Sequence, residues 1–117
     1  MEQAIQETRE LVVKLEEMDG IYENARQTKE EYDFYTVIEP FANKVKDMAE
    51  TWRESIEECI AKQDGYVFGE RQLDQVVDNM CQLSVQAFQH KSSYKRFKSY
   101  VQSTRFLLGT LVRQLDK

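Results

Sequence analysis

An all-α fold, an antiparallel up-and-down four-helix bundle with a short helical turn before its second helix, is what this sequence predicts. Three observations predict it. Four stretches carry apolar residues at alternating three- and four-residue steps, and the breaks between them are short. One proline and four glycines in 117 residues leave long elements largely uninterrupted. Short connections force consecutive helices to run antiparallel. A chain of this length can bury roughly two-thirds of its unfolded surface as one domain, 1–117, without a metal or a disulfide.

The first helix is expected from about Gln3 to Thr28. Its seam is Ile5, Thr8, Leu11, Leu15, Met18, Tyr22 and Ala25, stepping 3, 3, 4, 3, 4, 3. Gly20 costs about 1 kcal/mol relative to alanine there; on sequence alone it is merely tolerated, with a bend or a close helix contact as the alternatives. Polar residues from Arg26 to Glu31 make the first break, and Asp33 suits an N-cap because its carboxylate accepts from free amides of the next turn. Phe34, Val37, Ile38, Phe41, Val45, Met48, Trp52, Ile56 and Cys59 form the second stripe. Pro40 lacks an N–H and disfavours helical geometry in Glu39, so Glu39 is expected as a joint. A helical turn at 34–38 would precede a long helix from Pro40 to about Lys62.

The second break, Gln63 to Gly69, contains Asp64-Gly65 and the apolar Tyr66, Val67 and Phe68, expected to fold over one end of the bundle. A third helix is predicted from about Glu70 to His90, with Leu73, Val76, Val77, Met80, Leu83, Ser84, Ala87 and Phe88 inward. Lys91, Ser92 and Ser93 follow as a break, either serine able to cap the last helix. That helix carries the seam Tyr94, Phe97, Val101, Thr104, Leu108, Leu111 and Leu115.

Composition and motif spacing exclude several functions. No apolar run approaches the ~20 residues of a membrane span, and Met1-Glu2-Gln3 lacks the order of a secretory leader, so a cytoplasmic location is expected. The net charge of −5 makes nucleic acid an unlikely partner. Di-iron bundles need Glu-x-x-His pairs, but the residue three before the single histidine, His90, is Ala87; no metal or cofactor is expected. His90 is expected at a helix end, where a cation suits the macrodipole. Cys59 and Cys81 read as inert buried thiols, and no phosphate-cradling glycine loop or nucleophile–base pair is recognisable, which points away from an enzyme.

Charge is unevenly placed. Residues 91–117 hold seven Lys/Arg and one acid, whereas residues 1–90 hold nine Lys/Arg and twenty acids. On a helical wheel Lys91, Lys95, Lys98, Arg105 and Arg113 span about 80°, roughly 120° from the seam. This stripe either balances the acidic first helix within the fold or presents a surface to an acidic protein partner, with Lys91, Lys95, Arg96, Lys98 and Arg105 as contact residues. A second reading is a small-ligand pocket at one end of the bundle, formed by Tyr32, Asp33, Phe34, Trp52, Tyr66 and Phe68. The expected role is a non-enzymatic interaction module, monomeric or weakly dimeric.

Tyr32-Asp33-Phe34-Tyr35, Ile38-x-Pro40, Trp52, Tyr66-Val67, Val76-x-Asp78-Asn79, Leu83 and Lys95-Arg96-Phe97-Lys98 give the chain a further character. Over most of its length, best from 32 to about 112, it resembles the YppE-like family of small bacterial proteins. The resemblance implies an antiparallel four-helix bundle in a bacterial cytoplasm, and it brings no activity, cofactor or catalytic residue. Family members carry more histidines in the segment matching 88–94 than the single His90 of this chain, so no metal site carries over.

Overall fold

The computed structural model describes residues 2–62 and 69–116. Among them four α-helices, α1 (Glu2–Thr28), α2 (Glu39–Lys62), α3 (Glu70–Gln86) and α4 (Tyr94–Leu115), form a body of 47 × 26 × 20 Å. Each helix packs on the next, and α4 closes the ring against α1. Contacts fix the directions. Thr8 near the start of α1 meets Trp52 in the second half of α2, Tyr22 near the end of α1 stacks on Phe97 at the start of α4, and Phe41 meets Phe88 just beyond α3. The bundle is therefore up-down-up-down, as the short connections predict. Connections 29–38 and 87–93 share one end, here the cap end; Lys62 and Gly69 lie at the other.

Leu11, Leu15, Met18, Trp52, Ile56, Leu73, Met80, Leu83, Phe97, Leu108 and Leu111 are buried in one column between the helices. Full burial of such a side chain contributes about 1.5–3 kcal/mol, which offsets the entropy of ordering the helices. Two polar groups inside the column are satisfied by neighbours on facing helices. Trp52 Nε1 donates to Thr8 Oγ1 at 2.9 Å, and that hydroxyl donates to the Ala4 carbonyl at 2.6 Å. Asn79 Nδ2 donates to Thr104 Oγ1 at 3.0 Å, and Thr104 donates to the Tyr100 carbonyl at 2.7 Å. Paired in this way, they avoid the penalty of a lone buried donor.

Several local expectations need correction. On α1 the buried position at the start is Ala4, and Ile5 is only partly covered. Gly20, by contrast, is merely tolerated, as read from the sequence: a Cβ built there meets no atom within 4 Å and the helix runs through it. The end of α1 falls at Thr28 because Lys29 turns left-handed, at φ 56°, while its N–H still reaches the Ala25 carbonyl at 2.8 Å.

The short helical turn expected at 34–38 is present, but Glu39 is not a joint. Phe34–Ile38 forms a single π-helical turn that runs straight into α2, with Glu39 in ordinary helical geometry. The Ile38 amide donates to the Asp33 carbonyl at 3.2 Å, and the Glu39 amide donates to the Phe34 carbonyl. The next donor in this five-residue pattern would be Pro40, which has none, so the wide turn ends there. Asp33 caps it, accepting from the Thr36 amide at 2.8 Å and the Thr36 hydroxyl at 2.9 Å. The extra residue in the turn shifts the helical phase. A stripe counted at 3.6 residues per turn therefore fails upstream of Pro40: Phe34 and Val37 are exposed, and only Ile38 of that turn is buried.

The third helix stops at Gln86, four residues short of His90. Beyond it the amides of Phe88 and Gln89 donate to carbonyls three residues back, at 3.2 and 2.9 Å. The tightening has tertiary causes: Phe88 is held edge-on by Tyr32 and Phe41, and Tyr22 Oη donates to the Ser92 carbonyl at 2.7 Å. Ser93 caps α4, accepting from the Arg96 amide at 3.3 Å. Val77 and Tyr94 are less covered than their seams imply, and Tyr94 lies under the Arg26 guanidinium, 4.6 Å from its ring centre. Both cysteines are half-buried free thiols, and burial pushes the Cys81 thiol above its ordinary pKa.

Candidate functional site

The basic stripe of α4 divides into two parts. Its middle faces α1, where the first helix places acids one turn apart. Lys98 Nζ lies 2.6 Å from Asp19 Oδ1 and 2.7 Å from Glu23 Oε1. Burial by itself would lower the Lys98 pKa, but the hydrogen bonds to Asp19 and Glu23 outweigh it and hold the ammonium above its ordinary value. Arg105 forks onto Glu16 through Nε–Oε1 at 2.7 Å and Nη2–Oε2 at 3.1 Å. For these two residues the stripe balances charge within the fold.

The start of the stripe differs. Lys91, Lys95 and Arg96 are exposed, and none of them pairs with a carboxylate among the described residues. They sit where the turn 87–93 leads into α4, at the cap end. Arg113, near the far end of α4, is exposed too, donating to the Thr110 hydroxyl at 3.3 Å.

Beside these cations the cap end holds a cleft of about 450 Å³ between the two connections. Tyr32, Ile38 and Phe88 give it an apolar floor, the Tyr32 and Phe88 rings meeting edge-on with centroids 5.2 Å apart. Burial, then the neighbouring Glu30 carboxylate, push the Tyr32 hydroxyl above its usual pKa. The opposite wall is the chain from Gln89 to Ser92, and Glu31 closes one side. His90 is not at a helix end in the sense expected from the sequence. It lies in the turn, its side chain 13% exposed, with Nε2 3.1 Å from Glu31 Oε1 across the two connections.

Of the aromatic pocket read from the sequence, Tyr32 alone lines this cleft. Asp33 caps the π-helical turn. Phe34 faces solvent, edge-on to the exposed Tyr35 at 5.3 Å. Trp52 is fully buried in the column, its N–H spent on Thr8. Tyr66 and Phe68 lie outside the described residues. Arg53, on the same helix as Trp52, binds Glu57 at 2.8 Å and also Asp74. Ile38, Phe88, Gln89 and Ser92 were not recognisable as site residues from periodicity, although pairing the first connection with the third would have found them. Among the described residues no group of three or more His, Cys, Asp or Glu side chains could hold a metal ion, and no helix is long and apolar enough to cross a membrane.

The fold and this cap end define a four-helix bundle with a cationic corner beside an amphipathic cleft. The family model described as a bacterial domain of unknown function (DUF1798) matches residues 8–115, and the chain belongs to that family. It is similar to the uncharacterized protein YppE of Bacillus subtilis, 28% identical over 111 residues that cover 94% of this chain and 89% of YppE. The crystal structure of YppE superposes with a TM-score of 0.90 at 23% identity, covering 98% of this chain and 94% of that one. A protein of unknown function from Listeria innocua gives 0.87 at 30% identity, with 96% and 89% covered. A DUF1798 domain from Staphylococcus aureus gives 0.86 at 19% identity, with 96% and 95% covered. The YppE-like resemblance and the all-α bundle read from the sequence both hold.

Proposed function

We infer that residues 1–117 act as one non-enzymatic binding module in the bacterial cytoplasm, engaging an acidic surface of a partner protein through Lys91, Lys95 and Arg96. One observation carries this reading. Within the basic stripe, Lys98 and Arg105 are held by acids of α1, whereas Lys91 and Lys95 at its start, and Arg96 beside it on another face of α4, are exposed and meet no carboxylate among the described residues. Exposed cations without a carboxylate partner add little to the stability of the fold. They suit the electrostatic steering of an oppositely charged partner.

The test is zero-length carbodiimide cross-linking in a bacterial lysate, which joins lysine amines only to carboxylates in direct contact. The expected result is cross-linked acidic peptides at Lys91 or Lys95, their yield falling as salt rises because exposed pairs are screened. The variant K91Q/K95Q/R96Q should lose the cross-links and keep its stability within about 0.5 kcal/mol. Cross-links found only at other lysines, or capture unchanged in the variant, would refute the reading.

A further inference from the structure

We propose that the cap-end cleft binds a small organic anion with an aromatic or branched apolar body, such as an aryl carboxylate. Its volume of about 450 Å³ lies within the ~300–1,000 Å³ of small-molecule sites. The floor and the wall ask for different halves of one ligand. Ile38 and Phe88 are core residues, 6% and 8% exposed, whose outer surfaces complete an apolar floor with Tyr32. Removing that surface from water by an apolar ring is favourable, and the edge-on Tyr32–Phe88 pair offers a flat ring further edge and face contacts.

The wall supplies mainly donors. Lys91 brings a full positive charge with no carboxylate partner among the described residues, and Gln89 and Ser92 bring an amide and a hydroxyl. Glu31 is the one carboxylate of the lining, and its Oε1 is already turned to His90 at 3.1 Å. An anion is thus met by an available cation, whereas an ammonium ligand would have to compete with His90 for Glu31.

The cleft is also held in shape without a ligand. His90–Glu31 ties one connection to the other, Tyr22 anchors the Ser92 carbonyl from beneath, and Asp33 caps the turn that carries Ile38. A site already ordered loses less entropy when it binds. This inference does not rest on the protein-contact reading, since Lys95 and Arg96 lie outside the cleft lining.

The probe is 1-anilinonaphthalene-8-sulfonate, an aromatic anion that brightens in apolar surroundings, titrated into the folded full chain and displaced with indole-3-acetate. Saturable binding of one probe per chain, displaced by the carboxylate, is expected. Gln89 is exposed, so Gln89→Trp can fill the cleft without disturbing the core, and Lys91→Glu reverses the wall charge. Each should weaken the probe about tenfold or more, the size of a lost charge-assisted contact, with the melting temperature unchanged. Lys95→Gln should leave probe affinity within about twofold, as expected for a screened, exposed charge. Binding that does not saturate, or that is equal in both cleft variants, overturns the proposal. So does equal affinity for the uncharged N-phenyl-1-naphthylamine, because the site would then select no anion. Loss of carbodiimide cross-links in K91Q/K95Q/R96Q, with probe binding to the Lys95→Gln chain intact, would separate the fates of the two readings.

Discussion

The start and the middle of α4 carry the same kinds of residue in opposite circumstances. Lys98 sits between Asp19 and Glu23, and Arg105 forks onto Glu16. Lys95 and Arg96, within one turn of Lys98, have no such partner among the described residues. The difference comes from what α1 offers at each level. Opposite the middle of α4 it presents Glu16, Asp19 and Glu23, whereas its last turn, which reaches the first residue of α4 through Arg26 over Tyr94, is basic. A cation on α4 is part of the fold where α1 sets an acid against it and lacks that partner where α1 sets none. Charge counted along the sequence merges the two roles.

The sharpest way to break this contrast is charge reversal. Lys98→Glu puts a third carboxylate against Asp19 and Glu23 and should cost on the order of 2 kcal/mol in urea unfolding, whereas Lys95→Glu should stay within about 0.5 kcal/mol. Equal costs would abolish the distinction. Neutralisation is gentler: Lys98→Met should lose about 1 kcal/mol near pH 7, the upper range for a partly exposed pair in a network. That loss has a pH signature. The folded-state pKa of Lys98 is raised, so its contribution is complete below the unfolded value of about 10.5 and disappears as pH rises through the folded value. Wild type and Lys98→Met should therefore converge in stability only above about pH 10.5. A difference that persists at higher pH would assign it to packing of the lysine stem.

A firmer background would sharpen readings at the cap end. Gly20→Ala should add about 0.5–1 kcal/mol to unfolding free energy, because the exposed position accepts a Cβ without contact. Lys29→Gly should add up to about 1 kcal/mol by relieving a left-handed backbone at a lysine. The smallest expected effect is on Lys95→Gln and Arg96→Gln, each below about 0.5 kcal/mol in thermal or urea unfolding. Larger losses there would mean that the start of the stripe is structural after all.

Most of the architecture was legible because burial imposes a period. Thr8 to Ala25 on α1 and Phe97 to Leu115 on α4 are buried as their spacing predicts, and the caps Asp33 and Ser93 act at the expected places. What escaped the pattern lies where the period breaks. The π-helical turn before Pro40 changes the phase by one residue and turns Phe34 outward, and no residue type announces such a turn. The early end of α3 is imposed from a distance by Tyr32, Phe41 and Tyr22, with no proline or glycine in 87–93 to signal it. Of the aromatic set, Phe34 was turned outward by that change of phase, and Trp52 has a spacing that already placed it in the core.

The bond between Asn79 and Thr104 has a consequence for how the helices align. Leucines facing leucines can interlock almost as well after one helix slips by a turn, about 5.4 Å, past its neighbour. A slip of α3 along α4 would instead strand the carboxamide of Asn79 and the hydroxyl of Thr104 in a dry interior, at about 1–3 kcal/mol for each. The pair works as a notch, selecting one meshing of the two rods from several that grease alone would accept.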